Sequence, residues 1–305
     1  MRKLPHKNLF HWVARLLVAC MMFAGIGPVA AAGPETNPAA ALRAKYAQVS
    51  PQLHNNQFKQ PLYLDSVESS SHLAADIYAL VDYPFATVNV AFNEPAHWCD
   101  VMILHLNTKY CRASADTAGS NLVVRIGKKN YQPLAQAFQV KFAYRVATTT
   151  PEYFDVRLNA ENGPLGTSDY RIRLEALAVQ DGKTFLHLTY SYAYNLAGRL
   201  AMQAYLATIG SDKVGFTMTG KQPGGQPDYI GGVRGVVERN TMRYYLAIDA
   251  YLGGLSTAPA QQLEQRLESW FASTEQYPRQ LHEVDRADYL DMKRREYLRQ
   301  QKEKD

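Results

Sequence analysis

The sequence predicts an α+β protein in which an antiparallel sheet with one covered face is followed by helices. Three observations predict it. Between Leu122 and Tyr194 apolar residues recur at every second position in successive stretches. Asn162-Gly163-Pro164 and Asp181-Gly182 interrupt those stretches with turn chemistry, the second a strong hairpin signal, so consecutive strands should pair antiparallel. After Asn195 the apolar period lengthens to that of a helix. The composition, 305 residues of which 47% are hydrophobic and 20% charged, is ordinary for a globular protein and excludes collagen, coiled coil and polytopic membrane protein.

Residues 1–32 read as an export signal. A cationic stretch ends at Arg15, an apolar run spans Leu16 to Gly27, and the small-residue site Ala30-Ala31-Ala32 precedes Gly33. That run is well short of the roughly 20 residues a membrane-spanning helix needs. Leu17-Val18-Ala19-Cys20 resembles a bacterial lipobox, but only four apolar residues separate Arg15 from Cys20, so a lipoprotein anchored through Cys20 is the alternative to cleavage after Ala32. The expected location is periplasmic or secreted. Without Arg2, Lys3, Lys7 and Arg15 the formal net charge falls from +5 to +1, which gives no charge-based case for nucleic acid.

Cleavage leaves Cys99 and Cys111, an even number in an oxidising compartment, where a disulfide is favoured over two thiols. It would close a loop of about 13 residues and contribute about 3 kcal/mol. His97 and His105 lie nearby without the spacing of metal ligands, and no metal site is expected.

Residues 33–61, rich in Ala, Pro, Asn and Gln, read as a loosely packed N-terminal arm with one short helix around Ala39 to Val49. His72 to Val81 reads as a strand with apolar residues on both faces. Pro84 to Phe92 and Pro95 to Leu104 read as short helices, each with Pro in its first turn, where the missing amide hydrogen costs little. The strands follow: Leu122, Val124 and Ile126; Phe138 to Val146; Phe154 to Leu158; Tyr170 to Leu174; Leu186 to Tyr194. One face is apolar, the other polar. Helices then cover Leu196 to Ile209, Val233 to Leu252, Pro259 to Thr274 and the charged His282 to Lys302.

This order resembles the START-like, or SRPBCC, helix-grip superfamily. The resemblance is carried by His72 to Val81 as first strand, Tyr83-Pro84-Phe85-Ala86-Thr87-Val88 leading the first helix, Asn93-Glu94-Pro95-Ala96-His97-Trp98 between helices, and Gly163 through Tyr194 as last strands. It covers Leu62 to Leu252. Two helices compete for the gripped position, and the longer, Val233 to Leu252, is favoured. The resemblance implies a curved sheet wrapped around that helix, a START-like ligand-binding domain over 62–254, a C-terminal helical extension over 255–305, and an apolar cavity for a hydrophobic small molecule or lipid, with no cofactor. Phe138, Phe142, Tyr144, Tyr190, Tyr192 and Tyr194 are the candidate lining, each equally able simply to pack the core.

No Gly-rich phosphate loop, zinc-binding His pair, nucleophile elbow or calcium loop occurs in the sequence. Arg234 and Arg239, beside Glu238, Asn240 and Arg243, could set polar groups at a pocket mouth and neutralise an anionic head group; an ordinary helix-surface pair is the plainer reading of Arg234 and Glu238. His187 falls on the polar face, more a satisfied sheet histidine than a base, and Asp76 is placed to pair with Arg171 or Arg173. Two alternatives stand beside the carrier, which leaves room for transient membrane contact. One is a cyclase-type enzyme on the same fold; the other makes Pro259 to Lys302 an arm that docks an envelope protein partner and can be deleted without unfolding the sheet domain.

Overall fold

The computed structural model describes residues 37–302 apart from 118 and 209; the export signal and Cys20 lie outside the described residues. Helix α1 (Pro38–His54) is capped by Asn37, whose side chain accepts the Ala39 amide at 3.0 Å, and starts on a proline that has no amide to satisfy. Strands β1 (Leu62–Glu68) and β2 (His72–Val81) follow, then helices α2 (Phe85–Phe92) and α3 (Pro95–Met102). Next come β3 (Thr108–Asp116), β4 (Gly119–Ile126), β5 (Phe138–Thr149), β6 (Tyr153–Asn162), β7 (Thr167–Ala178) and β8 (Thr184–Tyr194). The rest is α4 (Leu196–Leu206), a hairpin of β9 (Met218–Lys221) and β10 (Pro227–Tyr229), the long α5 (Gly232–Gly254), then α6 (Gln262–Glu275), α7 (Pro278–Leu281) and α8 (Arg286–Lys302).

Strands β1 to β8 form one antiparallel sheet in the order β1-β2-β8-β7-β6-β5-β4-β3. Strand register carries the alternation read in the sequence across the sheet: Ala75, Tyr190, Ile172, Leu158 and Tyr144 form one row on the inner face. Helix α5 lies over the inner face at β1, β2 and β8, so the longer of the two competing helices takes the gripped position. At the Asp181-Gly182 turn both residues have positive φ, 62° and 68°, the backbone that lets a tight hairpin follow the twist of its strands.

Two strands of this sheet, β1 and β3, were not legible as such. In β1 the alternation of Leu62 and Leu64 ends at Ser66, which is buried because its hydroxyl bonds Glu238 and Arg234. β3 is polar and lies at the sheet edge, where α8 covers it: the Cys111 amide donates to Gln300 at 3.0 Å and Arg299 donates to the Lys109 carbonyl at 2.8 Å.

The N-terminal arm is packed rather than loose over α1. Leu42, Val49 and Leu53 are buried with Tyr78, Tyr153, Leu177 and Phe185 on the outer face of the sheet. This explains why β2 carries apolar residues on both faces: one set meets the core, and Tyr78 meets α1. The C-terminal helices are likewise internal. Leu267, Trp270, Leu281, Tyr289, Leu290 and Met292 belong to the main core. Pro259 to Lys302 is therefore no separable arm, and its high charge misled because Lys293 and Glu296 of α8 are themselves buried as a 2.6 Å pair.

Asp76 pairs with neither arginine expected for it. Register sets Arg173 two strands away, across Thr189, and Asp76 accepts instead from His187 Nε2 at 2.8 Å and from Thr189 at 2.6 Å. Arg173 pairs with Asp155 and Glu175, and Arg171 with Asp169. Cys99 of α3 and Cys111 of β3 form the disulfide, with Cα atoms 5.1 Å apart.

Candidate functional site

Phe142, Tyr144, Tyr190, Tyr192 and Tyr194 all lie in the core on the inner face of the sheet. Their hydroxyls divide them. Tyr144 donates to the Phe92 carbonyl at the end of α2, and Tyr194 to the Ser69 carbonyl in the β1–β2 turn, both at 2.9 Å, so these two tie elements together. Tyr192 reaches only Met202 Sδ on α4, at 3.9 Å, and the Tyr190 hydroxyl has no hydrogen bond among the described residues. Phe138, 43% exposed at the start of β5, stays outside the core.

The inner rings are continuous. Tyr170 lies 5.3 Å from Tyr192 and 6.4 Å from Phe142; Tyr190 lies 5.6 Å from Tyr192 and 5.3 Å from Tyr244 of α5; Tyr244 stacks on His105 at 4.8 Å. Tyr170 and Tyr244 were visible in the sequence only as members of apolar stripes. Burial pushes the Tyr190, Tyr192 and Tyr244 hydroxyls well above the ordinary tyrosine range, so they are neutral donors.

Helix α5 does not close evenly over these rings. Val233, Val237, Asn240, Tyr244, Ala247 and Tyr251 recur at helical spacing along one side. Val237, Ala247 and Tyr251 are buried, whereas Val233, Asn240 and Tyr244 are only half-buried. The N-terminal half of α5 is therefore packed less completely than its C-terminal half, with half-buried side chains set between fully buried ones. Helix α4 covers it, fixed by Asn195, which accepts the Gly198 amide at 3.0 Å. Gly198 packs so closely on the Gly166 backbone that a Cβ there would sit 3.0 Å from the Gly166 carbonyl oxygen, so a larger residue would push the start of α4 away from that turn. Leu196 and Leu200 of α4, with Leu165 in the neighbouring turn, stay 57–75% exposed.

Polar groups gather where α4, α5 and the β4–β5 loop approach. Lys129 donates to Tyr205 at 3.1 Å and to Glu283 at 2.6 Å, and Arg243 donates to Glu283 at 2.7 Å. Burial alone would raise Tyr205, but Lys129 outweighs it and holds the phenol below its ordinary value. His105 Nδ1 accepts the Asn107 amide at 3.1 Å, which leaves the ring proton on Nε2, a buried atom with no partner among the described residues. Burial, then the charge of Arg243, hold that ring well below the usual histidine range, so it is neutral. Lys129, Tyr205 and Glu283 come from loops and helices far apart in the chain, and no local signal marks them.

The two arginines proposed from sequence part company. Arg234 is spent on β1, donating to Ser66 at 2.7 Å beside Glu238. Glu238 in turn holds the Phe216 and Thr217 amides at 2.6 and 2.9 Å, so this corner is a structural clamp. Arg239 is 2% exposed and, among the described residues, makes one hydrogen bond, to the Val214 carbonyl at 3.2 Å.

A second concavity, a groove of about 520 Å³ between α2, α3, α5 and α6, has Val90 and Tyr251 on its walls. Its cation, Arg266, is already engaged with Asp100 at 3.4 Å and over the Tyr251 ring at 4.2 Å.

No family model matches the chain, and neither does any curated protein. Among solved structures it is similar to a norcoclaurine synthase point mutant from Thalictrum flavum in complex with a transition-state analogue. That match has 12% identity, covers 47% of this chain and 93% of the other, and has a TM-score of 0.33. It is similar also to Ara h 8.0201, at 9% identity over 63% of this chain and 97% of that one, TM-score 0.34. A third is CalU16 from Micromonospora echinospora, at 12% identity over 70% and 96%, TM-score 0.31. Such distant likenesses carry no argument about function; the chemistry of the site rests on its own residues.

Proposed function

We propose that the protein is an exported binding protein or carrier for a hydrophobic small molecule or lipid, needing no cofactor. The guest's apolar body lies in the cleft between Phe142, Tyr170, Tyr190 and Tyr192 on the sheet and Val233 and Tyr244 on α5. One observation carries the reading: Phe142, Tyr170, Tyr190 and Tyr192 form a continuous run of rings on the inner face of the sheet, and Tyr244, the residue of α5 that meets them, is only half-buried. A concave aromatic surface with few polar groups is what a small apolar ligand requires. The apolar side chains Leu165, Leu196 and Leu200, exposed beside the cleft, support transient membrane contact as the route of transfer. Export is supported by the apolar segment before Gly33 and by the Cys99–Cys111 disulfide, which belongs to an oxidising compartment.

Protein purified from its own host under non-denaturing conditions and extracted with organic solvent should yield about one equivalent of an amphipathic or apolar compound by mass spectrometry. A protein that yields none, and binds no apolar dye, overturns the reading. Intact mass of the same sample tests export, with a chain starting at Gly33 as the expected result.

A further inference from the structure

Helix α1 covers one end of the sheet's outer face, at Tyr78, Tyr153, Leu177 and Phe185. From that end the register of β6 and β7 runs through the pairs Tyr153–Leu177, Asp155–Glu175, Arg157–Arg173 and Asn159–Arg171, so apolar contacts give way to carboxylates and then to arginines. Arg145 of β5 extends the row, directly opposite Arg157. Like charges opposite one another across strands destabilise a sheet, so three arginines in one row call for a counterweight. Asp155 is that counterweight. Its side chain is 2% exposed, and it accepts from Arg157 Nε and Nη2 at 3.1 and 2.6 Å and from Arg173 Nε and Nη2 at 3.1 and 2.7 Å. Both Nη2 atoms meet the same Asp155 oxygen, so the two guanidinium groups lie within two hydrogen-bond lengths of each other.

Arg171 completes the group. Its Nε and Nη2 lie on Asp169 at 3.1 and 3.0 Å, and with Arg157, Asn159, Asp169, Ile172 and Arg173 it lines one concavity of about 420 Å³. In all three arginines a carboxylate takes the Nε and Nη2 groups, and Nη1 donates to nothing among the described residues. A second donor edge therefore remains on each. Elsewhere on the outer face of β5 to β7, Lys141 and Glu161 are opposite in sign, Arg145 has no partner among the described residues, and Glu175 is shared between Arg173 and His187, both at 2.9 Å. Four arginines thus face three carboxylates, one of which also serves the histidine.

We propose that this concavity binds a phosphate group, carried by a lipid head group or by a small soluble compound, through the Nη1 groups of Arg157, Arg171 and Arg173 with the Asn159 amide beside them. A carboxylate fills one guanidinium fork, whereas a phosphate presents oxygens in several directions, and arginine is the cation whose planar donors suit it. Pairing with Asp155 and Asp169 has already removed side-chain freedom that binding would otherwise cost. Asp169, the carboxylate that lines the concavity, is itself offset by Arg171 at 3.0 Å. The site lies on the face of the sheet opposite the aromatic rings and is independent of the apolar guest.

The test titrates sodium phosphate, and sodium formate at equal ionic strength, into the full mature chain by isothermal titration calorimetry at low salt. The wild type should bind one equivalent of phosphate, and formate about tenfold more weakly. Arg171→Gln, which releases only the half-exposed Asp169, should weaken phosphate about tenfold, whereas Arg145→Gln, which removes the same charge outside the concavity, should leave it nearly unchanged. Vesicles identify the source. Retention on vesicles of phosphatidylcholine and phosphatidic acid in equal amounts, absent on pure phosphatidylcholine, lost in Arg171→Gln and reversed by inorganic phosphate, supports the site with a lipid head group as its ligand. Calorimetric binding that depends on Arg171 without vesicle retention supports it with a soluble phosphate compound. Absence of binding in both assays, equal affinity for phosphate and formate, or equal losses in Arg171→Gln and Arg145→Gln overturns it. An empty apolar cleft would leave phosphate binding untouched, so this proposal and the carrier reading fail separately.

Discussion

His187 illustrates how a residue with the chemistry of a base can be fully occupied by structure. Its Nδ1 lies 2.9 Å from Glu175 and its Nε2 2.8 Å from Asp76, and Tyr78 stacks on the ring at 4.3 Å. With a carboxylate at each nitrogen the ring is held as imidazolium: burial would lower its pKa, but the two hydrogen bonds and charges raise it. The folded pKa lies above the unfolded value near 6.5, so the contribution is complete below about pH 6.5 and is lost as pH climbs through the folded value. His187→Gln should therefore lower unfolding free energy by about 1–3 kcal/mol at pH 6 and by clearly less at pH 9, read from urea titrations at both. Equal losses at the two pH values would deny the imidazolium. The alternation alone put His187 on the outer face, but its two partners come from β2 and β7 and required the register.

At the scale of elements, α8 decides whether the sheet has an open edge. Arg299 and Gln300 occupy backbone groups of β3, Tyr289 donates to the Leu104 carbonyl at 2.9 Å, and Lys293 donates to the carbonyls of His105 and Thr108 at 3.0 and 2.7 Å. Truncation before Arg286 should expose that edge and yield an aggregating or unfolded chain, visible in size-exclusion chromatography and near-ultraviolet circular dichroism. A soluble, natively folded truncation would restore the separable arm. Lys293 makes a second prediction. Burial, opposed by Glu296, lowers its pKa to about 8, so the unfolded chain binds the proton more tightly and stability should rise as pH goes from 8 toward the ordinary lysine value near 10.4. Lys293→Met should flatten that rise in denaturation midpoints; an equal rise in the variant would show that another group is responsible.

For the molecule as a whole, the disulfide fastens α3, packed beneath the inner face, to the edge strand that α8 covers. Replacing both cysteines by Ala should cost about 3 kcal/mol by loop-closure entropy, measured by denaturation, without changing the far-ultraviolet spectrum. A cost near zero would mean that α8 and the core already confine this loop in the unfolded ensemble. The packing of α1 outside, α5 inside with α6 and α7 against it, and α8 at the edge makes the sheet a layer covered in part on both faces. This is why residues before Leu62 and after Leu255 contribute buried side chains, not appendages.

Sequence by itself determined the period of each element, the hairpin turns, the inner face of the strands and the pairing of two cysteines, because alternation, turn residues and parity are local properties of the chain. It marked Phe142, Tyr190, Tyr192 and Arg239 as candidates without separating them from Phe138, Tyr144, Tyr194 and Arg234. Tertiary structure alone made that separation, since whether a hydroxyl or a guanidinium is already satisfied depends on carbonyls, carboxylates and rings that approach from distant segments. For the same reason Lys129, Tyr205, His105 and Glu283 became one cluster only through folding: charge and hydrogen bonding act across space, and no periodicity of the chain encodes that distance.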